Sequence, residues 1–461
     1  MTSPTPAHVA VIDIGKTNAK VAIIDMENLG EIAVRTRPNA VLNAAPYPHY
    51  DVDGLWTFIV DAVAALNHGH PIDAITVTTH GAACALLDAD GHLALPVLDY
   101  EHDGPDTLAA DYDAMRPPFA EIGSPRLPSG LNLGAQIFWQ QRRFPDAFRS
   151  VRAILMYPQY WSFRLTGLAA TEVTSLGAHT DLWNPALRDY SGLVEKCGWR
   201  DMFPPLRKSS DCLGPILPEI AARTGLRANI PVHCGIHDSN ASLLPHLIAR
   251  QPPFAVVSTG TWVVAMSVGG RATALDPERD TLINVNALGD PVPSARFMGG
   301  REHALTTDGL REGCTADDVA AVLAKRVFLL PSVQAGSGPF PHRKSEWRSD
   351  EGIQPGEKRA AVSFYLAMMT AICLDLIGAS GPVIVDGPFA RNSLYVRMLA
   401  AATRRAVIPH TASGAGASAG AALLTSHTEP RPNRDHEAVD GPDQLWRDYA
   451  QAWRGELALP R

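Results

Sequence analysis

The hydrophobic pattern of this chain contains one arrangement twice. Val9-Ala-Val-Ile-Asp-Ile-Gly15 is followed by Lys-Thr-Asn and then by Ala19-Lys-Val-Ala-Ile-Ile24. Two β-branched runs around a short glycine-containing turn predict a β-hairpin. Phe254-Ala-Val-Val-Ser-Thr-Gly260, then Thr261-Trp-Val-Val-Ala-Met266, has the same form. Gly15 and Gly260 hold the same place in each unit, and Asp13 corresponds to Ser258. The offset, a little over half the chain, predicts two related domains, each opening with a strand, a glycine turn and a strand. Two unrelated hairpins would give the same local pattern.

The remaining segments predict strands alternating with helices. Helical spacing runs over Gly54–Leu66, Gln136–Phe144, Pro158–Leu165, Ser393–Thr403 and the small-residue stretch Gly416–Leu424. Gly167 suits a helix stop after Leu165. Ala74–Thr78 and Val383–Asp386 read as buried strands, and Ala85–Gly91 as a strand entering a turn. Such alternation implies α/β architecture with covered sheets. Ser332–Gln354 and His427–Pro442 read as loops, the latter before a last helix around Gln444–Trp453. Ala360–Leu374, the longest largely apolar run, is shorter than the roughly 20 residues of a membrane span and reads as a core helix.

Composition narrows the classes. The chain has 461 residues, 46% hydrophobic and 19% charged, which suits two or three globular domains. The net charge of −8 leaves no basic surplus for a nucleic-acid backbone. Six cysteines without a C-x-x-C pair fit a reduced, cytoplasmic compartment. Met1–His8 carries no signal-peptide pattern, and no membrane partner is expected.

Several stretches could carry chemistry. In Asp13-Ile-Gly-Lys-Thr-Asn18 a carboxylate at a strand end precedes a glycine turn. Turn amides can face phosphate oxygens, and the acid can hold Mg²⁺ directly or through water. It is not a P-loop: Ala10 stands where the first glycine belongs, and Ala19–Ile24 reads as strand. Ser258-Thr-Gly-Thr261 is a second candidate phosphate turn. Asp238, between Ile230–His237 and an apolar helix, could cap that helix or act as a base. His233, Cys234 and His237 are residue types that bind zinc, but Pro231 and Gly235 argue against a regular helix aligning them. Gly387-Pro-Phe-Ala-Arg-Asn392 and Ser413–Gly420 are glycine turns ahead of helices. The pattern Gly414-x-Gly416-x-x-Ala419 opens no βαβ unit, which argues against NAD. His80, Asp99, Glu101, His102 and Asp103 stand at apparent strand ends and could line a polyol pocket. No G-x-S-x-G elbow of a serine hydrolase occurs.

Taken in order from Val9 to Leu424, these stretches resemble the FGGY family of carbohydrate kinases, in the sugar kinase and actin superfamily. The matching stretches are Asp13–Asn18, Ile75–Gly91, Trp161–Gly167 with Thr171–Ser175, Gly235–Asp238, Ser258–Thr261, Gly387–Asn392 and Gly414–Leu424. The resemblance implies two ribonuclease H-like (actin-like ATPase) domains with a central cleft, residues 1–245 and 246–461. It implies ATP and Mg²⁺, a small sugar as acceptor, and room for a homodimer. Asp238 matches the catalytic base and Asp13 the Mg²⁺-associated carboxylate. Gly15, Lys16, Thr17 and Asn18, with Thr259, Gly260 and Thr261, would touch the phosphates. Gly387, Asn392, Gly414 and Ala415 would face adenosine. His80, Gly81, Tyr100, Glu101 and His237 would face the sugar with Asp238. Gly81-Ala82 departs from the polar pair of glycerol kinases. Gly-x-His-Asp-Ser looks like rhamnulokinases and related kinases, which points to a ketose, a ketopentose or 6-deoxyketohexose. Lys16 replaces a more usual small or hydroxyl residue, and Gln136 a frequent lysine. A sugar- or nucleotide-binding regulator on the same fold is the alternative; a metal hydrolase on His233, Cys234 and His237 is a third reading.

Overall fold

The computed structural model describes residues 6–310, 313–411, 416–426, 438–439 and 444–458. Two compact units divide it, and neither is contiguous. The first takes the chain to Ile248 together with Ile283–Pro291 and the described residues 416–426; the second takes Ala249–Leu282, Val292–Thr411 and the described C-terminal residues.

Both hairpins form. His8–Ile14 pairs antiparallel with Asn18–Asp25, and Phe254–Thr259 with Val263–Val268. The same framework grows from each. In the first unit the strands run Gly30–Pro38, Asn18–Asp25, His8–Ile14, Ala74–Thr79, Pro231–His233. In the second they run Pro291–Phe297, Val263–Val268, Phe254–Thr259, Val383–Asp386, Val407–His410. In each sheet a three-stranded antiparallel meander meets two strands parallel to its first member. The duplicated pattern in the sequence is therefore a duplicated topology.

Burial explains the composition of these strands. Val9–Ile12, Val21–Ile24 and Ala74–Thr79 are buried, so they read as nearly unbroken apolar runs rather than alternating ones. Val52–Gly69 covers one face of the first sheet with Leu55, Ile59, Val63 and Leu66. Pro355–Leu376 is the core helix of the second unit, long and apolar enough to cross a membrane but 78% buried over its most apolar window. Its side chains pack with Phe254–Thr259 neighbours such as Ala255 and Val257, and each fully buried large apolar side chain contributes about 1.5–3 kcal/mol.

The expected helices form at Leu133–Arg143, Tyr157–Thr166, Ser393–Thr403, Gly416–Leu423 and Gln444–Ala458. Gly167 ends its helix at φ +73°, a conformation glycine adopts without strain. Ser332–Gln354 is not wholly loop: Glu346–Arg348 pairs with Phe328–Leu330, because Trp347 packs against the second core. Most of His427–Pro442, and with it most of that expected loop, lies outside the described residues. The six cysteines are free.

Candidate active site

Strand register builds the site. Ile14 pairs with Thr79 across parallel strands, and Thr79 pairs with His237. Gly15, His80 and Asp238 therefore leave the same edge of the first sheet, at the carboxyl ends of neighbouring parallel strands, where ligands of open α/β sheets bind. Residues more than two hundred positions apart are neighbours for this reason alone.

Asp238 is the first residue of the helix Asp238–Ala249. Its Oδ1 accepts from the Ser239 amide at 2.5 Å and the Ser239 hydroxyl at 3.2 Å, and lies 3.4 Å from His237 Nε2. The carboxylate thus stands at the helix start, as one of its two readings expected. A third of the side chain is exposed, yet the group lies deep enough that burial raises its pKa, with His80 opposing. His80 and His237 are themselves buried, and burial pushes each imidazole down to about 4. Both rings are therefore neutral at physiological pH.

Each of these imidazoles keeps a buried nitrogen without a hydrogen-bond partner among the described residues: His80 Nε2 and His237 Nδ1. The other His80 nitrogen, Nδ1, lies 2.7 Å from the Gly81 carbonyl and so carries the proton in a neutral ring, which leaves Nε2 an acceptor. Tyr50, Tyr100 and Tyr157 surround the His80 ring at 5.2, 5.6 and 5.3 Å between centroids. Gly81 is demanded by packing, since a Cβ there would stand 2.8 Å from His237 Nε2. Ala82, the next residue, holds φ +54°, a strained conformation of a kind that clusters at functional sites. Gln136 donates to the carbonyls of Ala82 and Gly130, so it braces this stretch from behind.

Asp13 sits at the end of the first strand. Its Oδ2 accepts from the Ser418 hydroxyl at 2.9 Å and lies 3.6 Å from Lys20 Nζ. Burial raises its pKa; Lys20 and Ser418 oppose, while Asp238 and Glu31 add to the rise. A carboxylate at a strand end whose charge burial disfavours and a neighbouring Asp238 opposes is one that a divalent cation could hold. Thr17 and Asn18 are exposed at the tip, and the turn is closed by the Gly15 amide donating to the Asn18 carbonyl at 2.9 Å.

Lys16 departs from its expected place. Its backbone belongs to the turn expected to face phosphate, but its ammonium pairs with Asp99 and stands 3.4 Å from Glu101 Oε2, on the segment expected to face the sugar.

In the second unit the turn residues are used differently. The Thr259 hydroxyl donates to the Asp386 carbonyl at 2.6 Å and accepts from the Phe389 amide at 3.1 Å, so this side chain is committed to internal packing. Gly387 has φ +87°, and a Cβ there would meet the Thr259 carbonyl at 2.1 Å. Asn392 caps the helix Ser393–Thr403, accepting from the amides of Leu394 and Tyr395 at 3.1 Å each and donating to Ser363 at 3.0 Å. Gly260 and Thr261 remain exposed. A hollow of about 250 Å³ beside Asn392 is lined by His303, Thr307, Arg359, Ser363 and Arg391. Gly414 and Ala415 lie outside the described residues.

The helix Gly416–Leu423 groups with the first unit, not the second. A Cβ on Gly420 would stand 1.7 Å from the Ala241 carbonyl, so its small residues serve a close packing of two helices. His233, Cys234 and His237 do not converge: His233 Nδ1 lies 2.9 Å from the Ser210 carbonyl, Cys234 is fully buried, and His237 faces Gly81 and Asp238. The zinc hydrolase reading has no geometry behind it.

Sequence reasoning missed Lys20, Ser418, Tyr50 and Thr174. Lys20 was accessible, because the hairpin register places it directly across from Asp13. Thr174 was not: its hydroxyl accepts from the His237 amide at 3.1 Å and donates to the buried Glu172 carboxylate at 2.5 Å. That relay braces the backbone just before Asp238.

Comparison with known proteins identifies the family. Residues 8–245 match the model of the N-terminal domain of the FGGY family of carbohydrate kinases, and residues 251–434 that of the carbohydrate kinase FGGY C-terminal domain. The structure is similar to the crystal structure of a carbohydrate kinase from Novosphingobium aromaticivorans, with 36% identity, 98% of this chain and 99% of that chain covered, and a TM-score of 0.89. Among curated proteins it is similar to L-fuculokinase of Escherichia coli (strain K12), 26% identical over 274 residues, 56% of each chain. Xylulose kinase of the same strain is 28% identical over 240 residues, 50% of this chain and 48% of that protein. The chain spans about half the length of the curated relatives it matches.

Proposed function

Because the chain belongs to the FGGY family of carbohydrate kinases, we propose that it transfers the γ-phosphoryl group of ATP to a hydroxyl of a small ketose. One observation carries this reading: a carboxylate, Asp238, flanked by two neutral buried imidazoles that each keep an unpaired nitrogen. Buried polar atoms without partners are costly unless a ligand completes them, and a polyhydroxylated acceptor supplies hydroxyls of both hydrogen-bonding senses.

Phosphoryl transfer asks a protein for positioning and charge stabilisation more than for covalent chemistry. Asp238 takes the proton of the attacking hydroxyl as the new O–P bond forms and the bond to ADP breaks. Its raised pKa makes it a better proton acceptor than an exposed aspartate. His80 Nε2, an acceptor, holds a neighbouring hydroxyl of the sugar. Asp13 would hold Mg²⁺, which when bound neutralises phosphate charge. In the first turn the exposed Thr17 and Asn18 would meet phosphate oxygens. The relatives named for fuculose and xylulose favour a 6-deoxyketohexose or ketopentose as acceptor.

The test is ADP release from MgATP over a panel of ketopentoses, ketotetroses, 6-deoxyketohexoses and polyols. One ketose should stimulate it, and Asp238→Asn should lose roughly 10²–10⁴-fold in kcat while still binding ATP. Near wild-type turnover in that variant would overturn the base assignment. ATP binding without stimulation by any sugar would favour a non-catalytic regulator.

A further inference from the structure

Lys16 belongs to one segment by backbone and to another by side chain. The ammonium pairs with Asp99, lies 3.4 Å from Glu101 Oε2 and 3.5 Å from the Tyr50 hydroxyl. It also stands 4.6 Å from the centre of the Tyr100 ring and 5.2 Å from that of Tyr50. The Asp99 side chain is only 9% exposed and that of Glu101 67%. Asp99 is therefore the anchor of this cluster, and Glu101 its rim.

These partners border the candidate base. The rings of Tyr50 and Tyr100 pack on His80, and burial, then Glu101 and Asp99 and last Asp238, raise the pKa of the Tyr100 hydroxyl. Besides Lys16, the segment is held by the Gly130 amide donating to the Tyr100 carbonyl at 2.9 Å and the Asp99 amide to the Pro48 carbonyl at 3.1 Å, while Asp99 Oδ1 accepts from the Tyr50 hydroxyl at 3.4 Å and the Glu101 amide at 3.3 Å, neither of which carries a positive charge. A nearly buried carboxylate that loses its cation is left uncompensated, which is strongly destabilising for the local arrangement. Two rings in cation–π range add to the hold on the ammonium.

We propose that Lys16 is a positioning residue for the acceptor sugar rather than a phosphate ligand: it pins the wall Asp99-Tyr100-Glu101 to the turn Gly15–Asn18. A wall fixed to that turn binds the ketose in register with the phosphates. The proposal rests on the kinase reading above.

The experiment compares wild type with Lys16→Met, which keeps the chain length and the contact with both rings, and Lys16→Arg, which keeps the charge. Ketose and MgATP affinities are measured separately by titration calorimetry, alongside kcat, KM and sugar-independent ADP release. Lys16→Met should weaken the ketose at least tenfold and leave MgATP affinity within about twofold. Its ADP release without sugar should rise relative to the stimulated rate, and Lys16→Arg should recover part of the ketose affinity. Loss of MgATP affinity with ketose affinity unchanged would overturn the proposal and return Lys16 to the phosphates. If Lys16→Met does not fold, Glu101→Gln, on the exposed rim, should raise the ketose KM a few-fold without touching that of MgATP; no change would count against the proposal. A wild-type protein that binds a ketose but does not phosphorylate it would refute the kinase reading alone, because the calorimetric comparison still decides what Lys16 holds. A wild-type protein that binds no ketose would refute both.

Discussion

The two glycine turns stand on the same framework of strands and do different work. Asp13-Ile-Gly-Lys-Thr-Asn18 opens on a half-buried carboxylate with a hydroxyl at 2.9 Å and an ammonium at 3.6 Å. Ser258-Thr-Gly-Thr261 has no acid, and the Thr259 hydroxyl is committed to the Asp386–Phe389 turn. Asp13, Asp238, His80 and His237 gather in the first unit, whereas the second turn offers the exposed Thr261 hydroxyl, its Gly260 amide closing the turn on the Trp262 carbonyl at 2.9 Å. A duplicated topology thus keeps its backbone geometry, because hydrogen-bond register tolerates little change, while its strand-end side chains are free to diverge.

The strongest test of that contrast exchanges the two corresponding positions. Asp13→Asn should lower kcat by roughly 10²-fold or more, since it removes a charge aimed at the transferring group. Ser258→Ala should change kcat less than about threefold. Equal losses in steady-state assays would mean that the two turns share the chemistry.

The pH profile follows next. Burial raises Asp238 above its usual 3.8, so the carboxylate form needed for proton acceptance is lost at higher pH than for a free aspartate. On the acid side kcat/KM should fall about tenfold per pH unit below that raised value, and the residual rate of Asp238→Asn should lack this limb. Stability moves with opposite signs at the acids and at the imidazoles. The folded state holds extra protons on Asp13 and Asp238 just above pH 3.8, so these acids cost stability as pH rises through that window. Asp238→Asn should accordingly raise the Tm at neutral pH. His80 and His237 are depressed to about 4 from 6.5, so the unfolded chain takes up protons first and stability falls on acidification between those values. Replacing both by Gln should flatten the decline, as chemical denaturation at pH 4.5 and 7 would register.

Two glycines of the second unit separate packing from ligand approach. Gly387→Ala forces a Cβ at φ +87° to within 2.1 Å of a backbone carbonyl and should cost roughly 3 kcal/mol, visible as a lower unfolding midpoint. Gly260 has no positive φ, and the nearest atom to an added Cβ is 3.8 Å away. Gly260→Ala should leave the midpoint unchanged and raise the KM for ATP a few-fold. An unchanged KM would show that the turn does not need close approach by the phosphates.

Much of this molecule is legible in local pattern. The hairpins, the helices Val52–Gly69 and Ser393–Thr403 and the core helix Pro355–Leu376 follow from hydrophobic period and from residues such as Gly167 that end an element. Asp13, His80 and Asp238 could be singled out because a charged or polar residue at the end of an apolar strand has few structural reasons to be there. The pairing of Asp13 with Lys20 needed only hairpin arithmetic.

What no local pattern contains is which strand ends become neighbours. Thr79 meets Ile14 and His237 through parallel pairing over distances of 65 and 158 residues, and only packing of the whole sheet selects that register. For the same reason Ser418 could be quoted as part of a glycine-rich stretch but not as a partner of Asp13, 405 residues away. Lys16 makes the point most sharply. Its residue type and place in the turn suggest a phosphate ligand, whereas its long flexible stem lets tertiary structure send the charge to Asp99, where burial makes pairing most valuable. The sequence by itself determined the elements and the chemical groups at their ends, because these depend on neighbours along the chain. The tertiary structure decided which groups face one another, because that depends on burial and register summed over the whole fold.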